Sequence, residues 1–179
     1  MKRSHLAREI VETVALTILI FLAIHFTVQN YQISGPSMEN TLHSGQFVLV
    51  NKLAYLFHAP ERGDVVVLQE PDVPSRDLIK RIIGLPGDTI KLDGTNVWIN
   101  GVLLNEPYIT QKSNPGAETM KIPANDYFVM GDNRPISEDS RYFGFVPRDF
   151  IIGKAILVYW PLSQWQVINT YPSVFSQIK

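Results

Sequence analysis

Residues 79–88, with the sequence IKRIIGLPGD, decide the fold of this chain. Their isoleucines, together with the preceding Leu78, form a short apolar run that predicts a buried strand, and the Gly-Leu-Pro-Gly segment ends it. Successive side chains of a strand point to opposite faces of its sheet. Alternate residues therefore share a face, in two predicted sets: Leu78, Lys80 and Ile82, and Ile79, Arg81 and Ile83.

The lysine inside this run has a chemical consequence. Burial penalises a charged ammonium and lowers its pKa. At the ordinary pKa of about 10.4, roughly one lysine in two thousand is neutral at pH 7, whereas a fall of about 2.5 units makes roughly one in ten neutral. A neutral amine can accept a proton from a serine hydroxyl, which is a weak nucleophile on its own. Lys80 is therefore a candidate general base.

Residues 34–42, with the sequence SGPSMENTL, supply the serine. Gly35 and Pro36 bend the chain directly before Ser37. Serine and lysine together form a complete acyl-transfer pair without histidine. Taken singly, Ser37 is typical of a turn and Lys80 of a strand-edge lysine whose ammonium reaches water, so the hypothesis depends on further segments.

A third segment, residues 130–147 with the sequence MGDNRPISEDSRYFGFVP, supplies that support. With it, the chain resembles the type I signal peptidases of bacteria, the Ser-Lys dyad peptidases. The resemblance runs from about residue 10 to about residue 165. The segments similar to the family's motifs follow in the family's order: Ser37-Met38 with Thr41-Leu42, residues 63–67, residues 80–88, and residues 131–141.

The resemblance implies a role for three of these side chains. Ser37 would be the nucleophile. Lys80 would be the general base and later the acid that protonates the leaving amine. Ser137 would hydrogen-bond the lysine and aim it at Ser37.

Two ion pairs are implied by the same resemblance. Asp139 and Arg141 would hold the loop beside the lysine, and Asp132 would pair with Arg81 as a second support. Without the resemblance, these four charged residues would be equally typical of a solvated loop of mixed charge, where ion pairs contribute little.

The chain departs from the family pattern at three places. Asn40 stands where proline usually precedes Thr-Leu, and Pro135-Ile136 replaces a polar pair before Ser137. Gly35 stands where some members carry a serine that donates a hydrogen bond to the oxyanion. The Ser37 backbone N–H must then serve with some compensating donor, because losing one oxyanion donor costs about 3 kcal/mol.

The amino-terminal segment predicts a membrane anchor. Residues 13–28 contain no Asp, Glu, Lys or Arg, and residues 11–31 would form roughly 30 Å of helix, enough for one crossing. Lys2, Arg3 and Arg8 precede the run, which favours a cytoplasmic amino terminus. A cleavable signal peptide is the alternative, but no Ala-x-Ala-like site follows. We therefore expect a cytoplasmic tip and transmembrane anchor at residues 1–31 and an extracytoplasmic peptidase domain at residues 32–179.

The rest of the chain predicts β structure. Strand-like runs cover residues 46–50, 64–68, 78–83, 89–92, 127–130 and 151–159, and residues 97–104 form a hairpin whose Asn100-Gly101 pair favours a type I′ turn. Residues 105–125 are the least regular and are expected to be exposed. The predicted fold class is mainly β: a compact antiparallel catalytic domain of the signal peptidase and LexA-like fold, preceded by one transmembrane helix.

Composition argues against several kinds of partner and site. The formal net charge of −1 does not favour nucleic acid as a partner. There is no cysteine, so disulfides and thiolate metal sites are excluded. The four histidines share no ligand spacing with carboxylates, so we expect neither metal nor cofactor. We expect His43, six residues from Ser37, to be a surface turn residue rather than a catalytic base.

The predicted reaction is removal of signal peptides from exported preproteins by a membrane-bound serine endopeptidase, through an acyl-enzyme. Its partners would be exported preproteins and the lipid bilayer. The substrate would bind extended, as a strand between the residues before Ser37 and those before Lys80. The family implies small side chains at the first and third positions before the cut, and Ile33, Leu78 and Ile79 are our expected pocket residues.

Two other functions remain open. A self-cleaving Ser-Lys regulator of the LexA-repressor kind would share the dyad and the fold, but it requires a DNA-binding helical domain and an internal Ala-Gly bond. A membrane-tethered β module that only binds would tolerate changes at both Ser37 and Lys80.

Overall fold

A long apolar helix opens the chain, and the sheets begin directly where it ends. The computed structural model describes residues 2–114 and 116–178. Its α-helices are α1 (Lys2–Thr27), α2 (Ser140–Phe143) and α3 (Pro172–Phe175), with 3₁₀ turns at Arg134–Ile136, Arg148–Phe150 and Leu162–Gln164. The strands are β1 (Val28–Gln32), β2 (Phe47–Asn51), β3 (Val65–Gln69), β4 (Asp77–Gly84), β5 (Thr89–Asp93), β6 (Asn96–Ile99), β7 (Val102–Leu103), β8 (Ala117–Lys121), β9 (Asp126–Met130), β10 (Val146–Pro147), β11 (Ile151–Trp160) and β12 (Gln166–Val167).

The α1 helix is long and apolar enough to cross a membrane. Its stretch Arg8–Thr27 has a mean hydropathy of 2.1, and none of it is buried against the rest of the chain. The helix ends at Thr27, and the Lys52 N–H donates to the Thr27 carbonyl (2.9 Å). The expected anchor, residues 1–31, thus shares its last four residues with β1, because Gln29 and Asn30 break the apolar run and pair with β2 instead.

Most strands belong to one antiparallel sheet with the order β1-β2-β11-β3-β4-β9-β10, and β12 pairs with β11. β4 pairs with β3 from Asp77 to Arg81 on one side. On its other side the ladder with β9 covers only Arg81, Ile82 and Gly84. Among the described residues, the first half of β4 therefore has no strand partner on the β9 side.

A smaller antiparallel sheet has the order β7-β6-β5-β8. The predicted hairpin is confirmed, since β6 and β7 pair. Asn100 and Gly101 both have positive φ, 51° and 81°, as a type I′ turn requires. The expectation of an irregular segment after it was wrong for β8, which pairs with β5. Its residues are mostly polar and exposed on an edge, so they lack the apolar alternation that predicts strands.

Both faces of the main sheet are buried at its middle strands β3, β4 and β9. On β4, Leu78 and Ile82 pack in one apolar cluster, whereas Ile79 packs in a second and Ile83 in a third. The predicted alternation along β4 is therefore confirmed. The mainly antiparallel β fold behind one amino-terminal apolar helix is confirmed as well.

Candidate active site

Ser37 lies in the turn that follows β1, and its neighbours fix that turn to the core. Met38 and Leu42 are fully buried, and the Leu42 N–H donates to the Met38 carbonyl (2.8 Å). Asn40 has a φ of +86°, which asparagine tolerates and which the ring of proline forbids. The departure from the family pattern at Asn40 thus matches a different backbone turn in this chain.

Lys80 is in β4, opposite Val66 of β3 in the sheet register. Its side chain is buried, with 2% of the residue exposed. Among the described residues, its ammonium has no hydrogen bond and no ion pair. The pKa of Lys80 is lowered to about 8, mainly by burial; the carboxylate of Asp139 opposes this shift, and the nearby guanidinium of Arg76 adds to it. A substantial fraction of Lys80 is therefore neutral near neutral pH.

Ser37 and Lys80 line the same cleft. Its volume is about 100 Å³, smaller than the cavity of roughly 150 Å³ that accepts benzene in another protein. No hydrogen bond joins Ser37 Oγ to Lys80 Nζ in the described structure, and catalytic hydrogen bonds are often long before substrate binds. The cleft is lined by β1, the turn after it, β3 and β4: Tyr31, Gln32, Ile33, Ser34, Ser37, Val67, Asp77, Leu78, Ile79 and Lys80.

All three expected pocket residues, Ile33, Leu78 and Ile79, line this cleft. Tyr31 lines it as well. Burial and the Asp77 carboxylate raise the pKa of Tyr31 to about 12, so its hydroxyl stays protonated and supplies no base. Of the two groups, the Lys80 amine is the one that can accept a proton.

Ser137 is buried beside the turn that carries Ser37. A Cβ at residue 131 would lie 2.2 Å from Ser137 Oγ and 2.4 Å from the Ser37 carbonyl oxygen, so only glycine fits between them. The Asn133 N–H donates to the same Ser37 carbonyl (3.0 Å). Ser137 Oγ is buried without a hydrogen-bond partner among the described residues, so its bond to Lys80 stays a prediction.

Asp139 and Arg141 form the first of the two expected ion pairs. Arg141 Nε and Nη2 donate to the two oxygens of the Asp139 carboxylate, at 2.7 and 2.8 Å. The same carboxylate accepts the Gly131 N–H (2.9 Å). The pair therefore holds the backbone that separates Ser37 from Ser137.

Arg81 and Asp132 form the second ion pair, and both side chains are fully buried. Arg81 Nε and Nη2 donate to the Asp132 carboxylate at 2.9 and 2.7 Å. Its Nη1 donates to the carbonyls of Gly63 and Asn169, and its Nη2 also reaches Thr41 Oγ1. Arg81 thus has a partner for every direction in which its guanidinium donates.

Comparison with known proteins identifies the family. The family model described as "Signal peptidase, peptidase S26" matches residues 6–160. The chain belongs to this family of signal peptidases. It is therefore a hydrolase that cleaves peptide bonds, as predicted. The signal peptidase I family is membrane-associated, and this member has one amino-terminal apolar helix.

Its relatives match over most of their length. A signal peptidase I of Leptolyngbya laminosa is 36% identical over 171 residues, which cover 91% of this chain and 84% of that protein. Signal peptidase IB of Staphylococcus aureus is 33% identical over 167 residues, which cover 83% and 86%. The chain in a crystal structure of a signal peptidase I from Enterococcus faecalis has 36% sequence identity to this chain. The match covers 53% of this chain and 95% of the chain in that structure, with a TM-score of 0.47.

Two contacts of this signal peptidase site were not predicted from the sequence. Thr41 Oγ1 donates to Asp132 (2.5 Å) and so joins the Arg81 ion pair. Glu106 pairs with the buried Arg134. The family motif contained Thr41 without indicating its partner, and no local pattern links Glu106 to a residue 28 positions away.

His43 is exposed in a segment of turns, as expected. It does not line the cleft of this signal peptidase. Within residues 2–114 and 116–178, no group of three or more His, Asp or Glu side chains is arranged to hold a metal ion.

Proposed function

We propose that this chain is a membrane-anchored serine endopeptidase that removes amino-terminal signal peptides from exported preproteins with a Ser37–Lys80 dyad. The observation that carries the proposal is the buried, unpaired ammonium of Lys80 in the cleft that Ser37 also lines. A structural lysine at this depth would need a carboxylate partner. Without one, the neutral amine is favoured and can act as a base.

The reaction follows from this arrangement. The Lys80 amine accepts the proton of Ser37 Oγ as that oxygen attacks the scissile carbonyl. The resulting ammonium then protonates the leaving amine, and an acyl-enzyme forms. The amine next removes a proton from a water molecule, which hydrolyses the ester. The Ser37 backbone N–H is one donor to the oxyanion, and Ser34 is a further hydroxyl that lines the cleft.

The substrate would bind as an added strand. The first half of β4 has no described strand partner on the β9 side, and residues 31–34 form the facing wall of the cleft. An extended peptide between them can bond to the backbone on both sides. The small volume of the cleft favours small side chains at the positions before the cut, in agreement with what the family implies.

Membrane anchoring places this chemistry at the bilayer. Arg8–Thr27 would span it, with the amino terminus in the cytoplasm because Lys2 and Arg3 precede the span and Arg8 begins it. Tyr31, in the cleft wall, comes four strand residues after the helix, about 13 Å along the chain. The nucleophile then lies close to the outer membrane surface, where a substrate held by its own apolar helix can reach it.

The test is processing of a preprotein in detergent by the wild-type protein and by Ser37→Ala and Lys80→Ala variants. We expect both variants to be inactive. Lys91→Ala and Ser176→Ala serve as matched controls, because both side chains are exposed and lie outside the cleft. Normal turnover by either dyad variant would overturn the mechanism, and a binding module would show no turnover with any variant.

A further inference from the structure

The segment between β7 and β8 contacts the buried arginines of the site through a few of its side chains. We call residues 104–114 the strap. Leu104 and Tyr108 of the strap are buried in the apolar cluster that also contains Met130, with Ile109 packed against it. The strap is therefore fixed to the core directly behind the loop that follows Met130, residues 131–141, which we call the site loop.

The strap supplies the partner of one buried arginine in the site loop. Glu106 accepts two hydrogen bonds from Arg134, one of them 2.8 Å long, and the exposed fractions of the two side chains are 4% and 3%. The Tyr108 hydroxyl donates to the same carboxylate (2.9 Å). A buried guanidinium without its carboxylate is strongly unfavourable, so Glu106 decides where Arg134 lies.

Two further arginines of the site contact the strap. The Arg81 guanidinium stacks on the Tyr108 ring, with its carbon 4.5 Å from the ring centroid. Arg141 Nη1 donates to Ser113 Oγ (2.5 Å). One segment of eleven residues thus contacts three arginines with buried side chains: Arg81, Arg134 and Arg141.

These arginines act on the backbone beside Ser37. Arg134 Nε donates to the Gly131 carbonyl (3.0 Å), and the Arg134 carbonyl accepts from Arg141 Nη2 (2.8 Å). Arg141 in turn orients Asp139, which accepts the Gly131 N–H. The Gly131 carbonyl is therefore held by Arg134, which Glu106 of the strap binds directly. The Gly131 N–H is held by Asp139, which the strap reaches only through Ser113 and Arg141.

We propose that the strap positions the catalytic pair, and that Glu106 is its main positioning residue. The inference rests on the proposed Ser37–Lys80 mechanism. Glu106 and Ser113 do not line the cleft, so they act through Arg134 and Arg141. Loss of the strap contacts should lower kcat and leave KM nearly unchanged, because the cleft walls on β1 and β4 are built by other elements.

The main test is a double variant, Glu106→Gln with Arg134→Met. It removes both charges together, which buried pairs often tolerate, and glutamine keeps an acceptor for the Tyr108 hydroxyl. The bond to the Gly131 carbonyl is lost. We expect a cooperatively folded protein whose kcat on a peptide substrate falls roughly 10- to 100-fold, the effect of a small misplacement of reacting groups, with KM nearly unchanged. A folded double variant with wild-type kcat would overturn the proposal.

A second test applies even where the double variant does not fold. Ser113→Ala removes only the acceptor for Arg141, whose charge helps to lower the pKa of Lys80. The acidic limb of the kcat–pH profile should move to higher pH, and Ser113→Thr, which keeps the hydroxyl, should restore it. Ser176→Ala is the control. An unmoved limb in Ser113→Ala would contradict the proposal, since a purely structural contact would not change it.

The two proposals fail in different ways. If Ser37→Ala or Lys80→Ala remains active, the proposed mechanism is wrong. If both are inactive while the strap variants keep wild-type kcat and pH profile, the mechanism stands and the positioning role of the strap is wrong.

Discussion

Lys80 and Arg81 are neighbours in one strand, yet their surroundings are opposite. Arg81 is fully buried and donates to Asp132, two backbone carbonyls and Thr41. Lys80 is buried to nearly the same extent, but its ammonium has no ion pair within the described structure. The two cations differ in pairing rather than in depth.

Under the proposed mechanism, this difference separates a structural charge from a reactive one. A buried charge with a complete set of partners keeps its proton and holds distant segments together. A buried ammonium without partners is destabilised in its charged form, so its pKa falls. Adjacent residues of β4 provide one cation of each kind, because side-chain alternation directs Arg81 to Asp132 and Lys80 to the cleft.

Exchanging the reactive cation for a permanent one should have the largest effect. Lys80→Arg keeps the positive charge but cannot deprotonate in a protein. We expect signal peptide processing to fall by roughly 10³-fold or more, the scale of losing a catalytic base. Single-turnover assays in detergent check this, and wild-type turnover by Lys80→Arg would show that no neutral amine is needed.

Breaking the paired cation should cost stability instead. Arg81→Met leaves the Asp132 carboxylate buried and unpaired, and we expect a loss of about 3–5 kcal/mol in the free energy of unfolding. Urea denaturation measures it. The double variant Arg81→Met with Asp132→Asn removes both charges and should recover part of the loss. A single variant as stable as the wild type would mean that the pair contributes nothing.

Removing the unpaired cation, Lys80, should raise the free energy of unfolding, whereas removing Arg81 lowers it. Since the pKa of Lys80 is about 8 when folded and about 10.4 when unfolded, the unfolded chain binds more protons between these values, and wild-type stability rises with pH across that window. Below pH 8 the full cost of burying the charge is present. Lys80→Met should therefore be more stable than the wild type at pH 7, by on the order of 3 kcal/mol.

This advantage should disappear as the pH rises from 8 to 10.5. Urea denaturation of wild type and Lys80→Met at several pH values gives the difference directly. A difference that is constant over this range would indicate that Lys80 has an ordinary pKa in the folded protein.

The smallest effect is expected from changing Thr41, which bonds to both members of the Arg81–Asp132 ion pair. Thr41→Val keeps the shape of the side chain but removes the hydroxyl that donates to Asp132. We expect a loss of about 2 kcal/mol, typical of a hydrogen bond to a charged group. The apparent pKa of the pH–rate profile should not change, because Thr41 is not among the groups that shift Lys80. A moved profile would show that the two cations are coupled.

Much of this comparison could be predicted from the sequence, because it depends on local pattern. The period of two in residues 78–83 was sufficient to direct Lys80 and Arg81 to opposite faces. The Asn100-Gly101 turn was likewise predictable, since few other dipeptides adopt positive φ twice in succession. Motif resemblance then supplied Asp132, Asp139 and Arg141 as partners, and the structure contains both ion pairs.

The contacts of the strap with the site arginines could not be predicted from the sequence. Residues 105–125 lack apolar periodicity, so an exposed segment was expected. Most described residues of this segment are exposed, as expected, but Glu106 and Tyr108 contact arginines far away in the chain, and no local pattern predicts those contacts. The expected anchor also ends four residues after α1 does. Val28 and Tyr31 have apolar side chains that fit a helix or a strand, so they do not mark the boundary.

The most direct test is a titration of the Lys80 side chain in the intact protein in detergent micelles. The Cε chemical shift of ¹³C-labelled lysine can be followed by NMR, with the Lys80 signal assigned by its absence in Lys80→Met. The midpoint should lie near pH 8, well below the exposed lysines. A midpoint near the ordinary value of about 10.4 would mean that the amine stays cationic at neutral pH, and the dyad mechanism would fail.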